Sequence, residues 1–140
     1  MPGAVLGVAQ GDRVLMLEAF GVSNTSTSAT LATDHLLNIG SAGKAMTSLL
    51  IGALIDDGIL TWDTRAVDNE YGLGQEISTL SNLTYIGHAG SFDHFNSVMG
   101  FYPEKDIAFI FITNGESEAA EDLTEMDGIP HEIAKMLQDF

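Results

Sequence analysis

Apolar positions along the chain fall into short runs bounded by turn-forming residues, a pattern typical of β-strands. The runs cover residues 5–9, 14–20, 73–78 with 83–86, 96–102 and 107–113. Turns are predicted at residues 10–12 and 103–106, and the Ser- and Thr-rich residues 23–33 are predicted to form a polar loop. Consecutive strands joined by short turns favour an antiparallel sheet.

Two other stretches repeat their apolar residues at helical spacing. The first carries Met46, Leu49, Leu50, Ala53 and Leu54, and it ends at the stop signal Asp56-Asp57-Gly58. The second carries Ile129, Ile133, Met136, Leu137 and Phe140, and Pro130 suits its first turn. The sequence therefore predicts an α+β fold of one domain, residues 1–140. In this fold an antiparallel sheet is flanked by the first helix on one face and the terminal helix on the other.

Ser41 and Lys44 stand where the first helix is predicted to begin. Residues i and i+3 share one face of a helix, so the Lys44 amine can reach the Ser41 hydroxyl. A serine hydroxyl needs a neighbouring base to act as a nucleophile. The positive end of the helix disfavours an ammonium and offers free N–H groups to an oxyanion. The four residues thus supply a nucleophile, a candidate base and half of an oxyanion hole.

The structural alternative for the same residues is that Ser41 is an ordinary N-cap and Lys44 a solvated residue of the first turn. A cation in the first turn opposes the helix dipole, and Lys44 is the only lysine in the first hundred residues. These two details count against a purely structural role. The spacing alone leaves both interpretations open.

The charge of the chain limits its partners. Twenty Asp and Glu against five Lys and Arg give a formal net charge of −15. Nucleic acid and anionic membranes require a basic surface, so neither is expected as a partner. Because the acidic residues are spread along the chain, adaptation to high salt is favoured over an ordinary acidic protein.

The remaining composition limits redox chemistry and localisation. No cysteine is present, so disulfides and thiolate chemistry are excluded. The sequence predicts neither a signal peptide nor a membrane span, and cytoplasmic and mature secreted locations both stay open.

Several segments together resemble one protein family. Residues 39–50, IGSAGKAMTSLL, and 54–64, LIDDGILTWDT, are similar to the nucleophile helix of the serine β-lactamase and penicillin-binding-protein family. Residues 2–9 and 11–21 resemble the first β-hairpin of this family. The YGLG run at residues 71–74 resembles the start of a family strand, and GHAGS at residues 87–91 resembles the strand that carries the last family motif. The similarity is to the branch of class C β-lactamases, D-alanyl-D-alanine carboxypeptidases and family VIII esterases, and it covers nearly all of the chain in family order.

The chain departs from this family between its first helix and the YGLG run. Only residues 60–70 stand where the family has a long helical subdomain, which also carries a Tyr-x-Asn motif. The resemblance therefore implies a miniature member with the helical subdomain deleted around residues 60–70. No residue can be assigned to the missing motif. Tyr85, on the strand leading to His88, is the candidate substitute for the motif tyrosine in proton transfer.

The resemblance implies roles for residues of both motifs. Ser41 would be the nucleophile, Lys44 the base, and His88 a donor to the substrate. Gly90 would let the substrate approach the strand, and the backbone N–H groups of Ser41 and Ser91 would form the oxyanion hole. The alternative for His88 is an ordinary histidine of an edge strand or turn.

No metal or other cofactor is expected. His94, beside Asp93 and six residues after His88, matches no ligand spacing. His35 is expected in a loop and His131 on the surface of the terminal helix. The acidic stretch 116–125 is expected to form a solvated face.

The function predicted from these features is that of a serine hydrolase acting through an acyl-enzyme. Small esters are the first substrate class, with β-lactams and D-Ala-type amides as further candidates. One alternative is a non-catalytic member of the family that binds a ligand or a protein. Another is a chain that works only when a second chain supplies the missing half. The first helix is apolar on more than one face, so a homo-oligomer is also predicted.

Overall fold

The computed structural model describes residues 2–59, 61, 74–115 and 117–138. Seven strands form one antiparallel sheet in the order β3-β2-β1-β7-β6-β5-β4. The strands are β1 Gly3–Gln10, β2 Arg13–Asn24, β3 Ala29–Thr30, β4 Glu76–Leu80, β5 Leu83–Phe92, β6 Phe95–Tyr102 and β7 Ile107–Thr113. The helices are α1 Lys44–Asp56, α2 Glu118–Thr124 and α3 Ile129–Leu137. The predicted α+β class with an antiparallel sheet is confirmed.

Helices α1 and α3 lie on opposite faces of the sheet. The Ser97 hydroxyl of β6 donates a hydrogen bond to the Ile39 carbonyl, 2.7 Å away, just before α1. The Tyr102 hydroxyl of the same strand donates to the Pro130 carbonyl in α3. Side chains alternate between the two faces of a strand, so positions 97 and 102 point to opposite sides. The predicted placement of the two helices is therefore confirmed.

The core lies between the sheet and α3 and is built around three aromatic rings. The ring centroids of Tyr85, Tyr102 and Phe109 lie 5.8–6.4 Å apart, and all three side chains are buried. Ala134 of α3 is fully buried against this cluster. Each buried aromatic or aliphatic side chain contributes about 1.5–3 kcal/mol, so this face holds the main hydrophobic stabilisation.

Helix α1 covers the other face incompletely. It ends at Asp56, as the stop signal predicted, but none of its residues is buried. Leu49 is 76% exposed and Leu50 63% exposed. A cavity of about 600 Å³ lies between α1 and the sheet, and Leu49, Met99 and Phe101 line it. In the described part of the chain no helix has the length and apolarity needed to cross a membrane.

Three segments differ in kind or extent from what the sequence predicted. The supposed loop 23–33 contains the end of β2 and the short strand β3, because Asn24 closes the turn by accepting hydrogen bonds from the Ser26 and Thr27 amides at 2.9 and 3.1 Å. Strand β5 continues to Phe92, since its pairing with β6 extends that far. The acidic stretch contains a helix, α2. Residues 60 and 62–73, including Tyr71 and most of the predicted deletion site, and Phe140 lie outside the described residues.

Candidate active site

Ser41 and Lys44 meet at the junction of a short turn and α1. Residues Gly40–Gly43 form a 3-10 turn that leads directly into α1, whose first residue is Lys44. The Lys44 amine donates a hydrogen bond of 2.6 Å to the Ser41 hydroxyl. The first turn of α1 holds no acidic residue, so no carboxylate there competes for the amine. A hydroxyl and an amine at this distance can exchange a proton directly.

Strand β5 approaches this turn through Gly90. A Cβ atom built on Gly90 would lie 2.3 Å from the Ile39 carbonyl oxygen, 2.6 Å from the Ala42 nitrogen and 2.8 Å from the Ser41 nitrogen. All three are backbone atoms, so only glycine allows the strand to pass this close. Gly40 makes the matching approach from the turn at a φ of +50°, where a Cβ would lie 3.0 Å from the Ser91 nitrogen. The structure therefore brings the backbones of Ser41 and Ser91 to one place.

Ser97 connects the turn to the sheet, and this role could not be predicted from the sequence. Its side chain is fully buried on β6. Its hydroxyl lies 2.7 Å from the Ile39 carbonyl oxygen and 3.3 Å from the Gly90 carbonyl oxygen. One hydroxyl thus spans the turn that carries Ser41 and the strand that carries Ser91. No local pattern distinguishes this serine from any other strand serine, because the contact depends on how β6 aligns with β5.

A cleft of about 410 Å³ opens beside Ser41. One wall is β5, from His88 to Ser91, and Asn96 of β6 also lines it. His88 is half-buried, and its Nδ1 contacts the Ala89 carbonyl oxygen. The cleft therefore gathers Ser41 and His88 with the strand segment that contains Gly90 and Ser91.

Tyr85 does not reach this cleft, so its suggested role as a substitute base is corrected. It is 1% exposed, in the aromatic cluster under α3, and its hydroxyl lies 3.4 Å from the Met99 carbonyl oxygen. Burial, reinforced by Tyr102 and Glu76, raises the pKa of the Tyr85 phenol. Its side chain belongs to the sheet face opposite Ser97 and the Ser41 turn.

The other histidines lie apart from the cleft lining. His35 is in the loop before the Ser41 turn, where its Nδ1 lies 3.1 Å from the Ala32 amide. His94 is in the turn between β5 and β6, and His131 is on α3. Within the described ranges, no group of three or more potential metal ligands lies together.

Helix α2 forms the second wall of the cleft. The described acidic residues of 116–125 are exposed, as expected for a solvated face. Glu121, Thr124 and Glu125 also line the cleft. Ser117 caps the N-terminus of α2, and its hydroxyl accepts a hydrogen bond of 3.1 Å from the Ala120 amide. Ala120 and Thr124 are buried, while both glutamates are exposed. The buried residues anchor α2 and leave the two carboxylates at the cleft.

The comparisons with known proteins address the first half of the chain. The family model described as Beta-lactamase matches residues 1–69. This range contains the first hairpin, Ser41 and Lys44, whereas β5 with His88 lies beyond it. The match confirms the resemblance to the β-lactamase family for the segments that lie within residues 1–69. No curated protein matches the chain at a significant level.

Proposed function

Because residues 1–69 match the family model described as Beta-lactamase, we propose that the chain is a serine hydrolase that acts by acyl transfer on small esters. The 2.6 Å contact between the Lys44 amine and the Ser41 hydroxyl is the observation that best supports this proposal. β-Lactams and D-Ala-type amides are further substrates, with slower turnover.

In the first half-reaction the Ser41 oxygen attacks the carbonyl carbon of the ester. The Ser41 proton passes to the neutral Lys44 amine, and the carbonyl π electrons move to the oxygen. The backbone N–H groups of Ser41 and Ser91 stabilise this oxyanion. When the intermediate collapses, the bond to the alcohol breaks, and Lys44 returns its proton to the leaving oxygen.

The second half-reaction repeats these steps with water. Water attacks the acyl carbon and gives its proton to Lys44, and the bond to the Ser41 oxygen then breaks. Lys44 returns the proton to Ser41, and a carboxylic acid is released. His88, on the cleft wall, donates a hydrogen bond to the substrate in this scheme. The net reaction consumes one ester and one water and yields an acid and an alcohol.

A non-catalytic binding role is the second candidate. It is favoured by one observation: no tyrosine is among the described residues that line the cleft. The branch that the chain resembles uses a motif tyrosine in proton transfer, and Tyr85 cannot replace it. In this role the cleft would bind an acyl ligand without turning it over.

Covalent labelling separates the two candidates. The intact protein is treated with a fluorophosphonate and, in a second sample, with a penicillin, and its mass is measured. We expect one adduct on the peptide that carries Ser41, together with esterase activity, and loss of both in Ser41→Ala. Ser48→Ala, one turn further along α1, is the matched control and should label as the parent does. Equal esterase activity in Ser41→Ala would contradict the proposed mechanism, and binding without any adduct would favour the non-catalytic role.

A further inference from the structure

The wall of the cleft that faces β5 carries two carboxylates. Glu121 and Glu125 lie one turn apart at the end of α2, and both line the cleft with Ser41. Neither takes part in an ion pair with another residue that the structure describes. The C-terminal end of α2 adds the partial negative charge of its last carbonyl groups. The field at this wall therefore favours a cation.

Among the described residues, no lysine or arginine forms an ion pair with Glu121 or Glu125. The Lys44 amine contacts the Ser41 hydroxyl, and Lys135 pairs with Glu132 on α3 at 2.7 Å. With a net charge of −15, the rest of the chain adds to the negative potential. A carboxylate ligand would therefore be repelled from the cleft, whereas an ammonium group would be attracted.

A second observation points to a ligand in the same cleft. Asn96 lines it and is only 3% exposed, yet its side-chain nitrogen is buried and has no hydrogen-bond partner among the described residues. A buried amide donor without a partner costs about 1–3 kcal/mol. The Asn96 side chain would have to turn towards the cleft to donate to a ligand oxygen, and that bond would remove the cost. The cleft thus offers two carboxylates for a positive group, and beside them lies an amide donor that no described residue satisfies.

We propose that the cleft selects small esters that carry a positively charged amine, and that Glu121 and Glu125 determine this selectivity. The inference rests on the proposed hydrolase function and names its substrate class. Exposed charge pairs each change an equilibrium by up to about fivefold, so two carboxylates predict a preference of about three- to twentyfold. Carboxylate-bearing substrates, penicillins included, are disfavoured by the same field.

A series of three acetyl thioesters tests the selectivity. Acetylthiocholine carries a quaternary ammonium, S-(3,3-dimethylbutyl) thioacetate is its neutral isostere, and S-acetyl-3-mercaptopropionate carries a carboxylate. All three form the same acetyl-enzyme and release a thiol that can be followed by absorbance. The salt concentration is the lowest at which circular dichroism shows the native fold, because salt screens the charges.

We expect kcat/KM to rank the cation above the neutral ester and the neutral ester above the anion. The Glu121→Gln/Glu125→Gln variant should bring the ratio of cation to neutral ester close to one. Glu118→Gln, an exposed substitution in the same helix that does not touch the cleft, should leave it unchanged. A ratio near one in the parent protein, or one that the double variant retains, would overturn the proposal.

A binding measurement separates failure of this inference from failure of the hydrolase proposal. Ser41→Ala is titrated with choline and with 3,3-dimethylbutan-1-ol, and NMR shifts report binding. If no thioester is hydrolysed but choline binds in preference and the two glutamine substitutions abolish that preference, only the hydrolase proposal fails. If the esters are hydrolysed without a charge preference, only the present inference fails. If neither hydrolysis nor preferential binding of choline is seen, both are wrong.

Discussion

Adding one methyl group at Gly90 should separate the Ser41 turn from the sheet. The Cβ of Gly90→Ala would stand 2.3 Å from the Ile39 carbonyl oxygen and 2.6 Å from the Ala42 nitrogen, whereas ordinary contacts begin near 3.4 Å. The turn or the strand must therefore move by about 1 Å. Because these neighbours are backbone atoms, no change of side-chain conformation relieves the contact.

The same structure supplies a matched control on α1. A Cβ on Gly52 would meet no atom within 4 Å. Gly52→Ala removes the entropic cost of a glycine inside a helix, which is about 0.8–1 kcal/mol. The two substitutions are chemically identical, so their difference isolates the close approach at Gly90.

The expected stability changes have opposite signs. Overpacking at Gly90 costs about 1–3 kcal/mol. For a chain of this length 1 kcal/mol shifts the melting temperature by about 3–5 °C. Gly90→Ala should therefore melt about 3–15 °C lower than the parent protein, and Gly52→Ala about 2–5 °C higher.

The reactivity of Ser41 should fall in Gly90→Ala and stay unchanged in Gly52→Ala. A displacement of 1 Å at a reacting group can cost about a hundredfold in rate, so Gly90→Ala should label much more slowly with a fluorophosphonate. Gly52→Ala should label at the parent rate. Thermal unfolding by circular dichroism and labelling followed by mass spectrometry check both expectations. Parent-like melting and labelling of Gly90→Ala would refute the reasoning, because the strand could not then lie against the turn in solution.

Three further outcomes are expected. Ser97→Ala should lower the free energy of unfolding by about 1–2 kcal/mol in denaturant titrations, because the Ile39 carbonyl loses a buried donor. The control Ser48→Ala should change it by no more than about 0.5 kcal/mol, and equal effects of the two substitutions would contradict the role of Ser97. The melting temperature should rise from dilute buffer to molar KCl, because molar salt screens the net charge of −15, and a flat or falling curve would contradict adaptation to salt. Light scattering at micromolar protein in high salt should show a homo-oligomer, because the exposed apolar side chains of Leu49 and Leu50 favour an interface. The Leu49→Gln/Leu50→Gln variant should be a monomer, and a 14.9 kDa monomer for the parent protein would contradict the predicted oligomer.

The strands and helices could largely be predicted because their signals are local. Turn residues bound the strands, and Asp56-Asp57-Gly58 ends α1 as its composition indicates. The role suggested for Tyr85 was wrong although the strand itself was right. Positions 85 and 88 are three residues apart along β5, an odd step, so their side chains face opposite sides of the strand.

The contacts that position the turn could not be predicted from local pattern. Ser97 meets Ile39 across 58 positions of sequence, and Gly90 meets Ser41 across 49. Both contacts depend on the register between β5 and β6 and on the path of the chain into α1. Helix α2 was missed for a different reason. Its seven residues contain too few apolar positions to show a helical period.

The geometry around Ser41 is set by the sheet and not by the surroundings of α1. Gly90 and Ser97 fix the turn from β5 and β6, whereas no residue of α1 is buried. The Lys44 contact lies within the same turn and the first residue of α1, so it needs no further support. If the helical subdomain is deleted around residues 60–70, as the sequence predicts, the arrangement of nucleophile and base can still persist, because the groups that hold it belong to the sheet. Among the described residues, α2 with its two glutamates forms the wall opposite β5, so we expect the selection of substrates to depend on this helix.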